Sequence, residues 1–68
     1  MKLIKEYCAS KNTKFYFYID EEDRKNRFIH VHEYIIMKDE KRNTTSELIV
    51  HRCEMPVRIF EVLCEGLN

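Results

Sequence analysis

The stretch Lys14-Phe15-Tyr16-Phe17-Tyr18-Ile19-Asp20 constrains this chain more than any other. Between Lys14 and Asp20 every residue is aromatic or β-branched, the chemistry that suits a pleated, half-buried surface. A period of two places Phe15, Phe17 and Ile19 on one face and Lys14, Tyr16 and Tyr18 on the other. A second such run, Arg27 to Met37, follows a wholly polar segment from 21 to 26 that reads as a hairpin loop. In it Ile29, Val31 and Ile35 share one parity, and His30, His32 and Tyr34 share the other. Glu33 falls on the apolar parity, so either a bulge re-aims it or it finds a partner.

Around these two strands the rest of the chain falls into place. Leu3 to Cys8 is read as a strand, residues 10–13 as a turn, 38–45 as a second polar loop and Glu47 to His51 as a strand. The period then changes. Met55, Ile59, Val62 and Leu63 recur at helical spacing, widened by Phe60 and Leu67. Pro56 fits the first helical turn and Gly66 a C-cap. The expectation is a single α+β domain over 1–68, four antiparallel strands followed by one C-terminal helix that covers one sheet face.

Such a chain is short of core. Sixty-eight residues bury only about 60% of their unfolded surface. Three cysteines, no C-x-x-C pair and no leader-like segment argue for a reducing, intracellular setting, without disulfides. His30 and His32 share a face but lack the further ligands zinc needs, so no metal is expected. A single Gly leaves no phosphate-binding loop, and no nucleophile constellation stands out. The chain is therefore read as no enzyme, with no cofactor, and no apolar run is long enough to span a membrane. Oligomerisation remains as the staple. Met55, Ile59, Phe60, Leu63 and Leu67 offer more apolar surface than one sheet face requires, and a homodimer through them is expected.

Net charge, twelve basic against twelve acidic residues, does not announce a partner. Placement says more. Lys14, Tyr16, Tyr18, His30, His32 and Tyr34 share the parity away from the core, and Arg24, Lys25 and Arg27 flank them in the loop. Flat rings edged by cations suit single-stranded nucleic acid, whose bases stack and whose phosphates seek Lys and Arg. Duplex DNA would find no recognition helix, since the one helix is short and acidic. Against this, Tyr and His are common on strands for their propensity alone, and Glu21, Glu22, Asp23, Asp39 and Glu40 make the loops an ordinary solvated surface. A protein-interaction module without nucleic-acid binding is the alternative.

Arg27-Phe28-Ile29-His30-Val31-His32-Glu33-Tyr34-Ile35 resembles the central strand of the transcriptional positive cofactor four family, an alternating apolar strand that ends in Arg-Glu-Tyr-Trp. His32-Glu33-Tyr34-Ile35 stands in that place. Lys14 to Asp20 is similar to the family's second strand, Glu47 to Val50 to its last strand and Met55 to Leu63 to its helix. The resemblance implies a four-stranded curved sheet plus helix, a homodimer built through the helices, and single-stranded DNA bound on the sheets in transcription, replication or recombination. The Pur-alpha-like and Whirly families share a related plan and imply the same ligand. The chain departs from the pattern in having His32 for the Arg, Ile35 for the Trp, and no Lys-Gly pair before the last strand.

Overall fold

The computed structural model describes residues 1–25 and 27–67, apart from the Leu67 side chain. Four strands, β1 (Lys2–Cys8), β2 (Thr13–Ile19), β3 (Phe28–Asp39) and β4 (Thr44–Pro56), precede the helix α1 (Val57–Leu67). They form one antiparallel sheet in the order β1-β2-β3-β4, each strand beside the one before it.

Aspartate side chains brace two of the three connections. After β2, Asp20 Oδ1 accepts from the Glu22 amide at 3.0 Å and Asp23 Oδ1 from the Lys25 amide at 3.1 Å. After β3, Asp39 Oδ1 accepts from the Lys41 amide at 3.1 Å. Asn43 then takes a left-handed conformation, φ 52°, which Asn tolerates better than most residues.

The β3–β4 hairpin is the long element. It pairs continuously from Phe28 opposite Pro56 to Asp39 opposite Thr44. β2 flanks β3 only from Ile35 to His30. The Ile36 amide makes a last bond to the Asn12 carbonyl, at 2.8 Å. Beyond that point the hairpin continues as a two-stranded arm.

β4 departs from the sequence reading. It begins at Thr44, inside the expected loop, and runs through Pro56. Met55 and Pro56 are therefore strand residues, not the first turn of the helix, and Met55 packs on the core from β4. Pro56 stands at the end of an edge strand, where its missing N–H leaves no ladder bond unmade. Gly66 lies within the helix with no positive φ, so it is not the expected C-cap. The irregularity foreseen near Glu33 falls on its partner strand. Glu33 pairs with His51 and Tyr34 with Ile49, which leaves Val50 as the extra residue of a bulge in β4. Glu33 accordingly stays on the helix side.

The core is very small. Among the described residues Phe17, Ile29 and Val31 are buried, with Phe15, Met55, Val57 and Phe60 packed partly against them. α1 closes this cluster. Its first amide donates to the Arg27 carbonyl at 3.0 Å, and the Phe60 ring lies 5.1 Å from that of Phe17. Ile59 and Leu63 are exposed, Phe60 is half buried against the sheet, and the side chain of Leu67 lies outside the described residues. Cys64 is half buried, and Cys8 and Cys53 are exposed. The molecule is elongated, with a Cα radius of gyration of 14.0 Å where a compact chain of this length has about 11 Å.

Candidate nucleic-acid interface

The face turned away from α1 carries the aromatic residues singled out from sequence. Antiparallel pairing sets Tyr16 opposite His32, Tyr18 opposite His30, and Lys14 opposite Tyr34. Directly paired residues project to the same side, so all six meet there. Tyr34 and Tyr16 pack edge to face with centroids 4.9 Å apart, and Tyr18 and His32 lie at 4.8 Å. Tyr16–Tyr18 at 6.5 Å and His32–Tyr34 at 6.4 Å close a four-ring cluster. Neighbouring rings desolvate one another. Burial raises the Tyr16 and Tyr18 hydroxyls above their ordinary range and lowers His32 below its own, with the Arg52 charge adding to the last effect. His32 is therefore neutral at physiological pH.

The expected cations are divided in space. Lys14 is on the face. Arg24 and Lys25 sit exposed in the β2–β3 turn and Arg27 just before β3, so they border the Tyr18–His30 end of the cluster. Arg52, which pairs across β3–β4 with His32, joins the face as a further cation.

Carboxylates join it too. Lys14 Nζ lies 3.4 Å from Glu6 Oε1 and 3.8 Å from Glu47 Oε1, and its pKa is raised, first through the hydrogen bond to Glu6. The Tyr16 hydroxyl donates to Glu47 at 3.2 Å. His30 Nδ1 stands 3.6 Å from Glu54 Oε1. Glu6 comes from β1, and Glu47 and Glu54 from β4, the two edge strands. Their place depends on pairing and on the β4 bulge, and period within one strand gave no signal for them. Arg52 was missed because the expected last strand stopped at His51.

No group of three or more His, Cys, Asp or Glu residues with metal-binding geometry occurs among the described residues. Nor is any described helix long and apolar enough to cross a membrane. Set against known proteins, the chain matches no family model, no curated protein and no solved structure.

Proposed function

We propose that this chain binds single-stranded DNA, as a homodimer, through the four-ring face, in transcription, replication or recombination. The observation that carries the reading is the continuous cluster of Tyr34, Tyr16, Tyr18 and His32 on the sheet face opposite the helix. Tyr16, Tyr18, His32 and Tyr34 stack on bases. Arg24, Lys25, Arg27 and Arg52 meet phosphates, and Lys14 does so once drawn from its two glutamates. His30 sits at the rim beside Glu54. Stacking on such rings is worth about 1–3 kcal/mol per base and tolerates any sequence.

Titration of a labelled 20-nucleotide strand and its duplex against salt tests the reading. Single strands should bind more tightly. Log affinity should fall with log salt at a slope of about 2.8, since Arg24, Lys25, Arg27 and Arg52 contribute about 0.7 each while Glu6 and Glu47 hold Lys14. Equal affinity for duplex, or no binding at low salt, overturns it.

A second reading has its own observation. Glu6 and Glu47 hold Lys14 and Glu54 faces His30, so carboxylates stand among the cations that border the ring cluster. Such a surface suits a protein partner with a mixed-charge rim. Failure of the oligonucleotide titration would leave this reading in front.

A further inference from the structure

The helix-bearing face is the largest feature that single-strand binding leaves unused. It has a raised half and a flat half. α1 stands over Phe17, Ile29 and Val31 and leaves beside it an apolar groove of about 290 Å³, lined by Tyr7, Phe15, Cys53 and Leu63 among others. Past the polar pair Glu33–His51 the same face continues bare along the arm. By period it carries Ile35 and Met37 from β3 and, shifted into phase by the bulge, Leu48 from β4. Met37 is 53% exposed and Leu48 56% exposed. No described residue covers them fully. On the raised half, α1 turns Ile59 and Val62 outward, the latter 63% exposed.

The surface area says how much is missing. A compact monomer of 8.4 kDa exposes about 4,600 Å², whereas this chain exposes 5617 Å², an excess of about 1,000 Å². One partner in a standard stable interface contributes about 800 Å². The excess is thus the size of one interface, and the chain holds both complementary halves of it: an apolar helix ridge, and a flat apolar arm of similar reach.

We propose that two copies pack face to face about a two-fold axis near the Glu33–His51 row, with α1 of each lying over the β3–β4 arm of the other. Ile59 and Val62 then meet Met37, Leu48 and Ile35 of the second copy, and the two helices share one layer between two sheets. The contact is isologous and closes on itself, so it stops at two copies. It leaves both ring faces pointing outward. The inference rests on the dimeric part of the functional reading and owes nothing to the part about DNA.

Sedimentation without oligonucleotide, joined to isotope-filtered NMR on a mixed labelled and unlabelled sample, tests it. A dimeric mass is expected, with intermolecular contacts from the Met37 methyl to the methyls of Ile59 and Val62. Met37→Glu and Leu48→Glu, each at an exposed site, should weaken association at least tenfold while circular dichroism stays unchanged. Met37→Ser provides a milder change in the same direction, for use if either charge disturbs folding. A monomeric mass at 100 micromolar (roughly a hundred times a micromolar Kd) overturns the proposal. So does a dimer whose only intermolecular contacts run helix to helix, or one that the arm variants leave intact.

Discussion

Lys14 is a cation that β2 places on the ring face, and two glutamates hold it, at 3.4 and 3.8 Å. Replacing Glu6 and Glu47 together with Gln leaves side chains of the same length and takes two negative charges from the path of the backbone. Lys14 then becomes available to one phosphate. For single strands that adds about 0.7 to the slope of log affinity against log salt. Between 50 and 200 mM salt, a fourfold change, the variant should lose about 2.6-fold more affinity than the parent. At 50 mM it should bind more tightly, since exposed pairs of this kind are worth only about 0.2–1 kcal/mol and are readily exchanged for a phosphate. Fluorescence anisotropy of a labelled 20-nucleotide strand at four salt concentrations reads both quantities. Folding should be little altered, because both glutamates are exposed. An unchanged slope together with weaker binding would refute the argument, for it would mean that the carboxylates and not the ammonium touch the ligand.

Three other outcomes follow from the same geometry. Tyr34→Ala removes the ring that packs on Tyr16 at 4.9 Å, and titration should show a loss of about 1–3 kcal/mol, roughly 5- to 150-fold in Kd. Phe60→Ala takes away the helix side chain that seals Phe17. With Phe60 half buried, thermal unfolding should show a loss of about 2–3 kcal/mol and ~10 °C or more in midpoint. His32 has a pKa in the folded chain below its ordinary value of 6.5, so the unfolded chain binds its proton first. Its contribution to stability is complete above about pH 6.5 and is lost as pH falls through that value toward the lower folded one. Urea midpoints measured from pH 7.5 to 5 should fall, and His32→Gln should flatten that fall.

The two central strands were legible because their alternation is broken only at Glu33, and the ring cluster follows directly from Lys14–Ile19 read against His30–Tyr34. β4 was less so. Ser46, Arg52 and Glu54 have little strand propensity of their own, Thr44 and Thr45 adjoin a polar turn, and β3 makes all five a strand by supplying the ladder bonds. Met55 misled because it stands four residues before Ile59, a spacing that suits a helix, yet it closes the core from β4. The acid on the ring face lay beyond sequence reasoning for a related cause. Which edge-strand side chains reach that face is decided by cross-strand register, a long-range property that local periodicity does not encode. The family resemblance led to the same order of elements as the meander and helix, and it gave no warning of Glu6, Glu47 or Glu54.

The bulge at Val50 has a meaning for solubility. β4 is an open edge thirteen residues long, from Thr44 to Pro56, with apolar Leu48 and Val50 exposed along it. An uninterrupted edge of that length is a template on which further chains can add without limit. The extra residue breaks the row of outward N–H and C=O groups into two shorter pieces that are out of phase, so a straight strand that matches one piece mismatches the other. Pro56 ends the second piece by withholding a donor. Deleting Val50 would heal the break and leave Leu48 opposite Ile35 on the same face. The result would be a chain that folds its central hairpin and then accumulates as filaments or precipitate. Residue 50 thus serves less to shape the monomer than to keep separate molecules from becoming one sheet.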